Sequence, residues 1–169
     1  MNAALLPIYL TAAGLLVLSG VAKLRDPGPA SDAIVELRLP GTRPLVRVVA
    51  LVELAFALLM VARPSLGAPA ACGLYLAFAA LVLAQLVRGS ARSCGCLGSA
   101  ALPATRLHVA LNVALATCCA LVHPDSLGAF RDPLAGTLVF LGAATMAWAI
   151  AAGLELLPRA LGAYRRPVA

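Results

Sequence analysis

The segment LVRVVALVELAFALLMVA, residues 45–62, is almost continuous hydrocarbon and is long enough to cross a lipid bilayer. A transmembrane helix needs about 20 mostly apolar residues, because each residue adds about 1.5 Å of rise. Similar apolar runs lie on either side of this segment. The predicted spans are residues 4–22, 45–62, 69–87, 104–122 and 134–157. Prolines lie at the junctions, where a helix in lipid can end without leaving backbone groups unsatisfied.

The composition supports the same fold class. Hydrophobic residues make up 62% of the 169 residues and charged residues only 12%, and the mean hydropathy is +0.96. A soluble helix needs charged residues along one face, whereas here the charges are bunched between the apolar runs. We therefore predict one all-α integral membrane domain over residues 1–169. It would have a four-helix transmembrane core and a fifth, C-terminal transmembrane helix.

The longest connection between predicted spans, residues 23–44, contains a candidate for a short helix. Ser31 and Asp32 can cap its N-terminus, and apolar residues then alternate loosely with Glu36 and Arg38. We predict a helix over about 31–39 that lies in the membrane interface over the mouth of the bundle. A plain surface loop is the alternative.

The basic residues predict an orientation. Eleven of the 13 lie on one side of the predicted spans. They are Lys23, Arg25, Arg38, Arg43, Arg47, Arg88, Arg92, Arg106, Arg159, Arg165 and Arg166, against Arg63 and Arg131 on the other side. The positive-inside rule predicts a multi-pass protein of the bacterial plasma membrane, with its N-terminus outside and its C-terminus cytoplasmic. No basic stripe alternates with aromatic residues, so the sequence favours a lipid environment and argues against a nucleic-acid partner.

The segment RGSARSCGCLG, residues 88–98, interrupts the hydrocarbon and carries the pair Cys94 and Cys96. Two cysteines one residue apart can close a strained disulfide, and strained, accessible disulfides exchange readily. Arg88 and Arg92 would favour the reactive thiolate over the thiol. We predict a redox-active dithiol. The alternatives are loop cysteines without chemistry and a Cu(I) site, whereas zinc requires four ligands and the chain offers too few.

The other cysteines lie at the ends of predicted spans. Cys72 opens the third span, and Cys118 and Cys119 close the fourth, so all three should lie at similar depth on the side opposite Cys94. A second thiol pair there would allow electrons to pass between the two faces through an intermediate carrier. The alternative is that these cysteines serve as small apolar residues in an alanine-rich helix.

Several polar residues within the spans are candidates for a pocket beneath the dithiol. Glu53 lies in the middle of the second span, and ionisable groups at that depth are rare and usually functional. His108 and Asn112 share one face of the fourth span because they are four residues apart. A chain Glu53–Asn112–His108 could move the protons of thiol exchange, and Gln85 could join it. The alternative is interhelical hydrogen bonding that only holds the bundle together.

These motifs together resemble the methylamine-utilisation MauE family, within the wider DoxX-like redox-associated membrane proteins. The resemblance covers roughly residues 10–120. It is carried by SGVAKLRDP (19–27), Leu39-Pro40, Glu53, RGSARSCGCLG (88–98) and Asn112, with Leu97 where the family more often has phenylalanine. It implies a four-helix core and a thioredoxin-like partner in disulfide formation or maturation of an exported enzyme, of which methylamine dehydrogenase is the namesake. Action on exported proteins would place the dithiol on the outer face of the membrane, whereas the distribution of arginines predicts that it faces the cytoplasm.

The leading hypothesis is therefore a membrane thiol–disulfide relay that exchanges electrons with a thioredoxin-fold partner through Cys94 and Cys96. A non-catalytic assembly or scaffold subunit is the main alternative. The DoxX-like resemblance also suggests a quinone-linked oxidoreductase subunit, with quinone as its cofactor. A copper-handling protein is the last alternative.

Overall fold

The computed structural model describes residues 5–89, 105–122 and 133–164. These residues form six helices, and the described part of the chain contains no strand. The helices are α1 (Leu6–Arg25), α2 (Gly28–Glu36), α3 (Arg43–Ala62), α4 (Pro64–Val87), α5 (Arg106–Leu121) and α6 (Pro133–Tyr164). The prediction of an all-helical protein is confirmed.

Three helices, α1, α3 and α4, are long and apolar enough to cross a membrane. Helix α5 and the described apolar part of α6, Val139–Gly153, are shorter. Helices α1, α3 and α4 correspond to the first three predicted spans. The chain therefore has the character of a membrane protein. The count of four or five spans stays a prediction.

Helices α1, α3, α4 and α5 pack in a ring, in which α1 contacts α3 and α5, and α4 contacts the same two helices. Tyrosine hydroxyls tie the ring together, because Tyr9 donates to the Met60 carbonyl at 3.0 Å and Tyr75 to the Ala12 carbonyl at 2.6 Å. Helix α6 packs on the outer side of α1 through small residues, with Ala143 and Ala147 both buried. Such close approach of backbones is how helices associate in lipid.

The outer faces of the bundle are apolar. Leu58 is 69% exposed, Val87 80% and Trp148 67%, as expected where hydrocarbon and not water is the solvent. Helix α1 differs from its neighbours, because 61% of its apolar window is buried against 28% for α3 and for α4. Of these three helices it is the most enclosed, because α6 covers it from outside the ring.

The junction between α3 and α4 is shorter than predicted. We expected the third span to begin at Pro69, but α4 begins at Pro64 and contains Pro69 within the helix. Arg63 alone separates the two helices, since proline at the first helical position loses no hydrogen bond. The turn also requires Gly67, where an added Cβ would lie 2.3 Å from the Met60 nitrogen.

The predicted short helix exists as α2, over Gly28–Glu36 instead of 31–39. Ser31 is not the N-cap of α2 but lies inside the helix. The Ser31 hydroxyl donates to the Gly41 carbonyl at 2.6 Å. The side chain of Asp26 accepts from the Gly28 amide instead, at 3.0 Å. Beyond the helix, Arg38 takes a left-handed φ of 59°. A position in the membrane interface stays a prediction.

The last predicted span, 134–157, corresponds to α6, which continues through Pro158 to Tyr164. Contacts between early and late residues show that α3 runs antiparallel to α1, and α5 antiparallel to α4. The end of α1, the start of α3, the end of α4 and the start of α5 therefore share one end of the bundle with α2. We call it the α2 end.

Candidate functional site

The most distinctive feature of the interior is an ion pair between α1 and α3. Lys23 Nζ lies 2.8 Å from Glu53 Oε1, and the two residues are 5% and 0% exposed. Lys23 also donates to the Ser19 hydroxyl one turn earlier, and its ammonium lies 5.2 Å from the centre of the Phe78 ring. A buried carboxylate and ammonium are each very costly alone, so the pair supplies the charge that each needs.

The direction of the Lys23 side chain is unusual for its position. Lys23 is two residues from the end of α1, where a lysine ordinarily extends outward to the membrane surface. Here the side chain runs back along the helix towards Ser19 and into the bundle. Glu53 lies about 15 Å along α3 from its first residue, at 1.5 Å per residue, so the pair lies well inside the protein.

The Gln85 amide and the second carboxylate oxygen of Glu53 are buried without a hydrogen-bond partner among the described residues. Gln85 is fully buried, and both atoms of its amide lack a hydrogen-bond partner among the described residues. Glu53 Oε2 likewise accepts no hydrogen bond from that part of the chain. An unsatisfied buried polar group costs free energy, so these atoms are candidates for contacts outside the described residues.

His108 lies at the same end of the bundle and is 5% exposed. Its Nδ1 lies 2.7 Å from the hydroxyl of Thr105, the residue before α5. Val82 of α4 packs against Val109 of α5. Gln85 and His108 therefore lie within about one helical turn of each other along the bundle axis. Both lie towards the α2 end, and Glu53 lies near the middle of α3; a shared pocket stays a prediction.

The predicted chain Glu53–Asn112–His108 is not formed by hydrogen bonds within the described residues. Asn112 Nδ2 donates to the His108 carbonyl at 2.7 Å, within its own helix, and Glu53 pairs with Lys23 instead. A proton path through these groups stays a prediction, and it would need a rotation of the Asn112 amide or an intervening water.

Cys94, Cys96 and Arg92 lie outside the described residues. Arg88, the other predicted thiolate-stabilising residue, lies at the C-cap of α4 and is exposed. Its Nη1 donates to the Glu36 carbonyl at 3.4 Å, so it ties α4 to the end of α2. Helix α4 ends and helix α5 begins at the α2 end, so the described residues on both sides of the Cys94–Cys96 connection lie at that end.

Cys72, Cys118 and Cys119 lie in the half of the bundle opposite the α2 end. Cys72 and Cys119 line one cleft of about 410 Å³, together with Pro64, Ser65 and Val122. All three of Cys72, Cys118 and Cys119 are free thiols, and the Cys118 sulfur contacts the Leu5 carbonyl at 3.7 Å. A redox role for them stays a prediction. Within residues 5–89, 105–122 and 133–164, no group of three potential ligands could hold a metal ion.

Sequence reasoning missed Lys23 and Ser19, although both lie in the motif SGVAKLRDP. One signal was available, because Lys23 is the single lysine in a chain that otherwise uses arginine. Lysine has a compact ammonium that fits a buried pair with one carboxylate oxygen. Its position at the end of an apolar run instead suggested a surface anchor.

The family model described as Methylamine utilisation protein MauE matches residues 1–124. The match spans α1 to α5, with the buried ion pair and the Cys94–Cys96 connection, and leaves α6 outside. No curated protein and no solved structure matches the chain.

Proposed function

This chain belongs to the MauE family, and on that basis we propose that it serves methylamine utilisation as a membrane-embedded thiol–disulfide relay. Cys94 and Cys96 exchange electrons with a thioredoxin-fold partner. The relay supports disulfide formation in, or maturation of, an exported enzyme of the methylamine dehydrogenase type. It operates in the bacterial plasma membrane, with the N-terminus outside and the C-terminus cytoplasmic.

One observation carries this proposal. The buried polar groups Lys23, Gln85 and His108 lie towards the end of the bundle at which α4 ends and α5 begins, and Glu53 pairs with Lys23 near the middle of α3. Polar groups at such depth are costly in a membrane protein and usually serve its function. This placement, near the helix ends that flank the dithiol in the sequence, supports a role in the proton movements of thiol exchange.

The proposed exchange moves electrons from the partner to the dithiol. A thiolate of the partner attacks the Cys94–Cys96 disulfide and forms a mixed disulfide, and the partner's second thiol then displaces the cysteine that is still attached. The products are reduced Cys94 and Cys96 and a partner with a disulfide, so two electrons and two protons pass to the pair. The partner's disulfide then passes to the exported enzyme, and a second two-electron oxidant, such as another disulfide, reoxidises the pair. His108 is the proposed carrier of a proton between these steps.

A non-catalytic assembly subunit is the second candidate, and the interhelical contacts favour it. The Tyr9–Met60 and Tyr75–Ala12 hydrogen bonds and the Lys23–Glu53 pair all join different helices. Under this alternative the polar groups fix the bundle, and the client enzyme is recruited without redox chemistry.

Substitution of the dithiol separates the two candidates. The relay predicts that Cys94→Ser, Cys96→Ser and the double variant each abolish maturation of the client enzyme in cells. Ser93→Ala and Leu97→Ala, in the same connection, are matched controls that should retain it. Normal maturation with both cysteines replaced, at normal protein level, would rule out the relay and support the assembly subunit.

The orientation has its own test. In intact cells, Cys94 and Cys96 should be labelled by a membrane-permeant maleimide after reduction, and not by an impermeant one. Labelling by both reagents would place the pair on the outer face, in contact with exported clients. Trapping with and without prior reduction shows whether the pair normally exists as a disulfide.

A further inference from the structure

A cavity of about 220 Å³ lies beneath α2, between the early part of α3 and the later part of α4. Helix α2 contributes Ala33 and Ile34 to its wall, α3 contributes Val49, and α4 contributes Phe78 and Leu81. An apolar cavity of about 150 Å³ is large enough for benzene. This cavity therefore has room for several carbons of a hydrocarbon chain.

The wall of the cavity favours hydrocarbon over water or a polar ligand. Lys23 is its one charged residue, and the other lining residues have apolar side chains. The Lys23 ammonium already pairs with Glu53 at 2.8 Å and donates to the Ser19 hydroxyl. A buried water needs about two to four polar partners, so a wall of this kind does not hold one.

The cavity opens towards the lipid-facing surface between α3 and α4. On the α4 side, Ala77 is exposed, and Leu74, Phe78 and Leu81 are only half-buried. The outer surface of a membrane protein at such depth meets the acyl chains of lipids. An acyl chain can therefore enter the cavity sideways, with the rest of the lipid still in the bilayer.

Two arginines lie at the end of the cavity nearest the α2 end. Arg43 is three residues before the lining residue Val46, on the same face of α3 and about 4.5 Å closer to the helix end. Arg47 follows Arg43 by one turn, and both are exposed. Neither has an ion pair or hydrogen bond with another described residue. Like charges at this spacing repel each other, so an anion bound between them would remove the repulsion.

The whole α2 end has an excess of positive charge among the described residues. Outside the Lys23–Glu53 pair, six exposed arginines face three carboxylates, namely Arg25, Arg38, Arg43, Arg47, Arg88 and Arg106 against Asp26, Asp32 and Glu36. Clusters of basic residues next to membrane helices attract anionic lipid headgroups, and guanidinium groups match the geometry of a phosphate.

We propose that the cavity and the first two turns of α3 form one binding site for an anionic phospholipid. One acyl chain occupies the cavity, and the phosphate lies between Arg43 and Arg47. The site requires no free donor of Lys23, and it depends on neither Cys94 nor Cys96.

Native mass spectrometry of the full-length protein in detergent tests the proposal. The protein is titrated with dioleoylphosphatidylglycerol, which is anionic, and with dioleoylphosphatidylcholine, which has the same chains and no net charge. The first bound phosphatidylglycerol should bind about tenfold more tightly, because two arginines face its charge. Oleate and glycerol 3-phosphate, each with only part of the ligand, should not displace it at equal concentration.

Variants separate the two halves of the site. Arg43→Gln/Arg47→Gln should lower the affinity for phosphatidylglycerol about tenfold, to that of phosphatidylcholine. Arg25→Gln/Arg106→Gln removes as much charge from the same end and should keep the tight binding. Val49→Trp and Ala33→Phe fill the cavity from different helices and should each abolish the tight binding, whereas Val52→Trp, on the exposed face of α3, should retain it. Thermal unfolding of each variant confirms that it is folded.

Three results would overturn the assignment. Equal affinity for the two phospholipids in the unchanged protein would remove the role of the arginines. Full affinity in both folded, cavity-filled variants would place the lipid elsewhere. Displacement by oleate as effective as by phosphatidylglycerol would assign the cavity to a fatty acid instead of a phospholipid.

Discussion

Lys23 and Glu53 join α1 to α3 through a 2.8 Å contact in the interior of the bundle, where both side chains are shielded from solvent. Each residue makes the presence of the other tolerable, because neither charge can be buried alone at low cost. The pair therefore predicts strongly unequal effects of single and double substitution.

Replacing one member of the pair should be much worse than replacing both. Glu53→Gln and Lys23→Met should each lower the free energy of unfolding by about 3–5 kcal/mol, the usual effect of leaving one buried charge unpaired. The double variant should recover most of that loss. Denaturant unfolding in detergent micelles measures the three values. Asp32→Asn, at an exposed position of α2, is the matched control and should change little. Additive single and double effects would show that the two charges are not coupled.

Gln85 offers a way to separate stability from function. Because both atoms of its amide lack partners among the described residues, Gln85→Leu should leave the free energy of unfolding unchanged or raise it by up to about 2 kcal/mol. If the amide takes part in the relay, the rate of thiol exchange should nevertheless fall about tenfold, as for the loss of one good hydrogen bond. Unfolding and exchange are measured on the same preparation. A clear loss of stability would instead show that the amide has a structural partner.

The cleft at the opposite end predicts a specific cross-link. Cys72 and Cys119 line the same cleft, so a short bismaleimide should join them in the folded protein, which peptide mass spectrometry detects. Cys118→Ser should leave the cross-link intact, because the Cys118 sulfur contacts the Leu5 carbonyl. Cys119→Ser should eliminate it. A cross-link between Cys72 and Cys118 in the Cys119→Ser variant would contradict the orientation of α5 about its own axis.

The tight turn between α3 and α4 predicts a contrast between two glycines of one helix. Gly67→Ala should lower the free energy of unfolding by about 1–3 kcal/mol or more, as in other overpacked sites, because its Cβ would lie 2.3 Å from the Met60 nitrogen. Gly73→Ala meets no atom within 4 Å. It should raise stability by about 0.5–1 kcal/mol through helix propensity. Equal effects at the two positions would contradict this account of the turn.

The helices could be predicted because long apolar runs and the prolines between them are local signals. Proline was less reliable as a boundary, since Pro69 and Pro158 both lie inside helices. The burial of Glu53 and the shared cleft of Cys72 and Cys119 are consistent with helix rise and antiparallel packing, whereas the roles predicted for these residues stay predictions. The Lys23–Glu53 pair did not, because its formation depends on a side chain that turns inward from the end of a helix. Nor could the cavity be foreseen, because it depends on where α2 lies against α3 and α4.

Helix α6 has a consequence for how the protein is made. The Thr11 hydroxyl lies 3.5 Å from the Ala143 carbonyl, 132 positions later in the chain, so α1 gains this neighbour only after those residues have been made. At about 5–20 residues per second, their synthesis takes about 7–26 seconds. During that interval, the small-residue face of α1 lies open to lipid or to the insertion machinery. Helices α1 to α5, in the matched family region, can assemble in that time, and α6 then covers α1.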